Sequence, residues 1–373
     1  MADALVDSRI VIDSHGELSE FLTTLKERGD FEPCAVDTEA DSLHSHREKL
    51  CLIQISCSGE NRLIDPLAIH DLGILIDFLD ERDVWLHGAD FDMSLLRRTF
   101  GWIPARVYDT QVAARLVGYE RFGLAHLVEE IIGIKLSKHS QRADWGKRPI
   151  PEKMLSYALD DVRHVLGLAE VLEMRLHELG RYDWFLQSCK GGRDLVLNRP
   201  ERSEDQVWRI GGAGKLGRRG LVYLRELWKW RDHEAMLGDK PAFRVAANQL
   251  LINTADRLSG GERVNPPRRL PDRVKERYFA AVKKADEMPE EEWPERIRGT
   301  RQKRNPEFKA RFARLQSRRN EAAAKLCIDE TLIASKSVLE KLAGDHIETQ
   351  TGSLLLPWQR DLICKELDEE ANR

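Results

Sequence analysis

FEPCAVDTEADSL, residues 31–43, leads an apolar run from Pro33 to Val36 into Asp37 and places Glu39 two positions later. The run reads as a buried strand, and the two-residue period of a strand turns both carboxylates to one side. A pair of this kind is weak evidence alone. Acids fill 63 of 373 positions, so a second acid two places after a first arises by chance about once in six. The neighbouring segments give it weight. CLIQIS (Cys51 to Ser56), NRLIDP (Asn61 to Pro66) and VWLH (Val84 to His87) read as three more strands. After VWLH the chain turns at Gly88 into a helix that carries Asp92 in its first turn, within LHGADFDMSLL. Pro149 and Pro151 open a further helix, and in its LSYALDDVRHV stretch Tyr157 and Asp161 stand one turn apart. At 3.6 residues per turn Asp161 shares the face of Tyr157, and Asp160 is rotated away by about 100°.

Four carboxylates brought within about 4 Å would repel by roughly 4 kcal/mol per pair at an effective dielectric near 20. Bound cations make such a cluster tolerable. The set suggests two divalent metals roughly 3.5 to 4 Å apart, an arrangement suited to both the attacking and leaving oxygens of a phosphodiester. Hard oxygen donors fit Mg²⁺ or Mn²⁺ and argue against zinc. Other polar residues near these motifs read as structural. Asp41 and Asp90 are taken as structural acids, His87 as a satisfied core histidine, and the Asp65, Pro66 pair as a turn.

The order of DTE, HGADFD and YALDD resembles the DEDD exonucleases, in the branch with tyrosine in its third motif. DTQVAARL (Asp109 to Leu116) and SKHSQRADWGKRPIPEKMLSYALDDV (Ser137 to Val162) extend the resemblance, which covers residues 8 to 190. It implies an α/β RNase H-like exonuclease domain, a mixed sheet flanked by helices, that removes nucleotides from RNA in the 3′ to 5′ direction. It also implies that Asp37, Glu39, Asp92 and Asp161 hold two Mg²⁺ or Mn²⁺ ions. Tyr157 would orient the attacking water with Glu39. The products would be nucleoside 5′-monophosphates and the substrates tRNA precursors and other structured RNA 3′ ends.

Length supports more than one domain. Residues 1–200 are assigned to the exonuclease domain, with a boundary expected in GGRDLVLNRPERSEDQ (Gly191 to Gln206), which is polar and holds glycine and proline. Only helices are expected beyond it. Leu224, Leu227, Trp230 and Arg231, then Pro241 and Phe243, then RLPDRVKERYFAAVKKA (Arg269 to Ala285), are similar to an HRDC domain, placed at 205–293. NPEFKARFARLQSRRNEAAAKLCIDETLIASKSVLEKLA (Asn305 to Ala343) and LLLPWQRDLICKEL (Leu354 to Leu367) are similar to a diverged second copy, placed at 300–373.

Net charge is −4, which by itself points to no polyanion. The charge is unevenly spread, however. Between Pro294 and Asn320 ten basic residues, among them Arg296, Arg298, Arg301, Lys303, Arg304 and Arg319, face two acids. The first five are the candidate RNA contacts, through phosphate neutralisation and counterion release. The six cysteines show no zinc-ligand spacing, and Cys34, Cys51 and Cys57 read as reduced core residues. No segment approaches 18 apolar residues, so a cytoplasmic protein without a membrane partner is expected; a monomer is expected as well. A DNA exonuclease of the same fold and a non-catalytic RNA-binding scaffold are the alternatives. The filled catalytic positions weigh against the scaffold.

Overall fold

The structure is a computed structural model that describes residues 10–28, 31–136, 142–201, 203–296, 305–344 and 354–364. Arg298, Arg301, Lys303 and Arg304 of the candidate RNA contacts lie outside them. The described residues form two compact units, one of 10–40, 50–199 and 305–364, the other of 41–49 and 200–296.

The first unit is built on a six-stranded mixed sheet. Its strands are β1 (Val11–Ile12), β2 (Cys34–Ala40), β3 (Leu50–Cys57), β4 (Glu60–Ile64), β5 (Asp83–Leu86) and β6 (Arg106–Asp109). They lie in the order β1-β4-β3-β2-β5-β6. β3 runs antiparallel to β2 and β4, and the other pairs are parallel. β3 is buried along its whole length, as expected of an apolar strand covered on both faces. The four strands read from the sequence are all present. β1 and β6 were missed because two and four residues show too little alternation to register.

Helices α1 (His15–Arg28), α2 (Gly73–Asp80) and α3 (Asp90–Phe100) enclose one face, where Cys34, Val36, Ile53 and Ile55 are buried with Leu18, Phe78 and Leu95. The helical segments α4 (Thr110–Val117), α5 (Leu124–Leu127), α6 (Glu152–Arg163), α7 (Val165–Glu178) and α8 (Tyr182–Leu197) complete the exonuclease part. α6 packs across β2, β3 and β4 and buries Tyr157 and Ala158 with Cys51, Leu52 and Trp145. α8 runs on to Leu197, through residues 191–197 that the sequence assigns to a polar boundary. Packing prevails over composition here: Val196 is buried, and a Cβ at Gly191 would come within 2.9 Å of Leu356.

The second unit is helical, with α9 (Glu204–Val207), α10 (Arg218–Leu237), α11 (Ala242–Val245), α12 (Asn248–Ser259) and α13 (Asp272–Asp286). Leu224, Leu227 and Trp230 are buried along α10, and Trp230 donates its indole N–H to the Val274 carbonyl at 3.2 Å. Arg231, also buried, donates to the Ala246 carbonyl at 3.2 Å and to Asn248 Oδ1 at 2.6 Å.

Residues 305–344 and 354–364 hold α14 (Pro306–Leu326), α15 (Glu330–Ile333), α16 (Lys336–Leu342) and α17 (Pro357–Ile363). They pack within the first unit. Phe308, Leu315, Ile333, Leu339 and Trp358 share one buried cluster with Leu116 of α4, Leu168 and Leu172 of α7 and Phe185 of α8. Arg181, 7 % exposed, joins them by donating to the carbonyls of Leu116 at 2.7 Å and Leu326 at 2.8 Å. Arg319, counted in the basic run, is also internal and donates to the Ala334 carbonyl at 3.0 Å. Among the described residues no helix is long and apolar enough to cross a membrane.

Candidate active site

The acids converge where β2 ends. Asp37 and Glu39 leave the same side of the strand, and Asp161 comes down from α6, so that one oxygen of each lies within 4.8 Å of the others. Oxygens that each stand about 2.0–2.6 Å from one cation are separated by no more than that order of distance, so the triplet fits a divalent ion. Asp92 takes a different route into the same cleft. It stands in the first turn of α3, 4 % exposed, and its Oδ1 accepts from the Thr38 amide at 3.0 Å and the Thr38 hydroxyl at 2.6 Å. Thr38 faces opposite to its two neighbours on β2 and thereby fixes the fourth carboxylate. Asp37 Oδ2 accepts from the buried Gln54 amide at 3.2 Å.

Burial disturbs all four acids, and repulsion within the cluster adds to it at Asp37, Glu39 and Asp161. Burial, then the charges of Asp92, Asp161 and Glu39, hold Asp37 well above the usual carboxylate range. Burial, then Asp161 and Asp92, push Glu39 up to about 9. Asp92 and Asp161 are pushed up to about 7, chiefly by burial, although hydrogen bonds from Thr38 and Tyr157 oppose the rise. Tyr157 is itself raised by burial and by the charges of Asp161 and Glu39, so its hydroxyl stays protonated at neutral pH. A cluster of carboxylates that resists ionisation is the electrostatic signature of a site completed by cations.

Two supports were not foreseen. Asp109, at the N-cap of α4, accepts from the amides of Gly88 at 2.9 Å, Ala89 at 2.9 Å and Gln111 at 2.8 Å. It ties the turn that launches α3 to the start of α4. An acid followed by threonine at a helix start is a capping signal, but nothing local shows that the same carboxylate reaches the neighbouring turn. Arg148 forks onto Asp65 with contacts of 2.6 and 2.7 Å and donates to the Cys51 carbonyl at 2.7 Å. This docks the approach to α6, and Trp145, 1 % exposed, packs its ring 6.2 Å from that of Tyr157. Asp65 does make the expected turn, accepting from Leu67 N at 2.9 Å, and carries this second role as well.

The cleft holds about 540 Å³ and is lined by all five predicted catalytic side chains together with Phe91, His87, Gln111 and His126. His87 therefore departs from the core reading. Its Nδ1 pairs with Thr110 Oγ1 at 2.9 Å, while its ring borders the cleft, and burial lowers its pKa so that it stays neutral. Asp160 is engaged elsewhere, with Arg163 at 3.0 Å, as are Asp90 with Arg199 at 2.6 Å and Asp41 with the Lys49 amide at 2.7 Å. Arg296 is exposed.

The raised pKa values set a stability profile. Between the unfolded carboxylate range near pH 4 and folded values of about 7 to 9, the folded state binds more protons than the unfolded one. Stability then falls as pH rises through that window. In EDTA the melting temperature should drop from pH about 5.5 to about 8.5, and added Mg²⁺ or Mn²⁺ should restore more of it at the higher pH, where protons no longer compete. A melting temperature indifferent to both pH and metal would remove the electrostatic reading.

Comparison with known proteins agrees with this geometry. Residues 10–177 match the profile of a 3′-5′ exonuclease family. Ribonuclease D of Zymomonas mobilis is 30% identical over 366 residues, covering 91% of this chain and 88% of its own. Ribonuclease D of Pseudomonas paraeruginosa is 29% identical over 348 residues, covering 89% and 90%. The crystal structure of Escherichia coli RNase D, described as an exoribonuclease involved in structured RNA processing, superposes with a TM-score of 0.74 over 97% of this chain and 98% of that one, at 24% identity, which supports the shared fold. With a full-length relative at this identity and an acidic cluster at the end of β2, the chain belongs to the ribonuclease D family of 3′-5′ exonucleases.

Proposed function

We propose that the protein is a 3′-5′ exoribonuclease that trims tRNA precursors and other structured RNA 3′ ends, releasing nucleoside 5′-monophosphates. The observation that carries this is the convergence of Asp37, Glu39 and Asp161 within 4.8 Å, with Asp92 and Tyr157 lining the same cleft. The four acids would hold two Mg²⁺ or Mn²⁺ ions. When bound, such ions lower the pKa of an attacking water and neutralise charge on the scissile phosphate.

The chain's own groups do the positioning. Tyr157 keeps its proton and hydrogen-bonds Asp161, so its hydroxyl can hold a water in line while Glu39 faces the same space. Thr38 fixes Asp92, and Trp145 with Arg148 fixes α6. Phe91, 45 % exposed at the cleft, offers an apolar surface beside Asp92.

Two HRDC-type modules at 205–293 and 300–373 are part of the proposal. Its support is a repeated local pattern: the Arg231 to Ala246 bond recurs as Arg319 to Ala334, and α11 and α12 recur as α15 and α16, each at an offset of 88 residues. Contact of Arg296, Arg298, Arg301, Lys303 and Arg304 with RNA phosphates, action as a monomer, and a cytoplasmic location consistent with the free buried cysteines complete it.

The test is degradation of a tRNA with a 3′ trailer, a structured RNA and a single-stranded DNA, each with Mg²⁺, Mn²⁺ or EDTA. Mononucleotides should appear from RNA and only with metal, and Tyr157→Phe should lower kcat by about tenfold to a hundredfold. Activity on DNA alone would replace RNA with DNA as the substrate, and no activity on any of them would favour the scaffold.

A further inference from the structure

Cys34 opens β2 and Cys57 closes β3, and the two stand directly opposite in the antiparallel ladder. Their side chains point into the core under α1 and α2, on the face away from the acids. The thiols are hydrogen-bonded to one another, and each sulfur lies near the Glu32 carbonyl, at 3.9 Å for Cys34 and 4.0 Å for Cys57. Directly opposed residues in an antiparallel pair have Cα atoms about 4.5 to 5.5 Å apart, inside the span of about 4.4 to 6.8 Å that a disulfide bridges.

The surroundings favour one thiolate. Arg82 is 1 % exposed, spends one nitrogen on the Phe78 carbonyl at 2.9 Å, and has no hydrogen-bond partner for its Nε among the described residues. Its charge lowers the pKa of both cysteines. The hydrogen bond from Cys34, helped by Ser58 and Arg82 against burial, brings Cys57 down to about 7, while Cys34 is driven far up. Access runs through the turn after β3. Ser58 and Gly59 join β3 to β4 with φ of 49° and 80°, Gly59 is exposed, and Ser58 Oγ lies 3.8 Å from Cys57 Sγ.

We propose that Cys34 and Cys57 form an oxidisable dithiol at which a hydroperoxide closes a disulfide between β2 and β3. The Cys57 thiolate attacks one peroxide oxygen, the O–O bond breaks, and with a proton the products are a Cys57 sulfenic acid and water. The Cys34 sulfur then attacks Cys57 Sγ, its proton leaves with the departing hydroxide as a second water, and the S–S bond forms. Two electrons pass from the dithiol to the peroxide. Hydrogen peroxide is nearly as small as water, so the turn need open only slightly. The bond clamps the strand that bears Asp37 and Glu39 three and five residues further on. A thiol reductant reverses it.

The full chain is treated with hydrogen peroxide, alkylated and mapped as unreduced peptides by mass spectrometry. The expected product is a Cys34 to Cys57 linked peptide pair lacking two hydrogens, reversible by a thiol reductant, with a melting temperature raised by roughly 5 °C or more. The exposed Cys327 serves as an internal control for exposure to oxidant, and the link should persist in Cys327→Ser. Cys34→Ser should abolish the link and leave a sulfenic acid on Cys57, which dimedone traps when it is added together with denaturant after the peroxide is removed. A wild-type protein that oxidises Cys327 yet never yields the linked pair overturns the proposal, and so does a Cys34→Ser variant with no dimedone adduct at Cys57.

Discussion

Asp37→Asn lowers kcat by about a thousandfold or more on a short 3′-labelled RNA and at the same time raises the melting temperature in EDTA. The two effects have one cause. The asparagine oxygen can still accept from Gln54, so the local packing survives, but the negative charge is gone. Losing a cation ligand at the reacting phosphate removes about 4 kcal/mol or more of transition-state stabilisation. Losing a buried carboxyl whose ionisation burial, Asp92, Asp161 and Glu39 all oppose relieves the metal-free protein. Single-turnover kinetics and thermal melts measure both, and the metal-induced rise in melting temperature should shrink in the variant. A variant within tenfold of the parent in kcat would mean that Asp37 is not a ligand in the working enzyme.

Trp358→Ala destabilises the exonuclease unit by about 3–5 kcal/mol, as judged by urea unfolding. Trp358 is 3 % exposed on α17 and stacks on Trp184 of α8 at 5.0 Å and 12°. Its indole N–H donates to Ser188 Oγ at 3.2 Å, and its amide donates to Gln187 Oε1 at 3.1 Å. The C-terminal helices bury Ile333, Leu339 and Trp358 in the same cluster as Leu116, Leu168 and Phe185. They belong to the folding unit of the catalytic sheet. Truncation after residue 304 should accordingly impair hydrolysis of a short oligonucleotide as well as of structured RNA. A truncated chain with wild-type stability and full activity on the short substrate would show that these helices are accessory.

How much of this could be read in the sequence follows from the range of each interaction. DTE, HGADFD and YALDD were legible because strand and helix periods place their side chains locally, and the structure gathers them in one cleft. The dependence of Asp92 on Thr38, 54 positions away, was not legible. Nor was the fork of Arg148 on Asp65, which joins residues 83 apart. The grip of Asp109 on Gly88 and Ala89 was not legible either. Composition misled at Gly191, where glycine ends no helix and instead allows Leu356 to approach. It misled again at Arg319, whose charge reads as surface while its guanidinium holds the Ala334 carbonyl inside the fold. The helices after residue 305 were legible as a helical pattern, but a pattern of apolar positions does not say which neighbour they are buried against.

Anomalous diffraction from a crystal soaked in Mn²⁺ tests the account most directly. It should show two peaks roughly 3.5 to 4 Å apart, bounded by Asp37, Glu39, Asp92 and Asp161. Peaks only elsewhere, or none in this cleft at Mn²⁺ concentrations that support RNA hydrolysis, would contradict it.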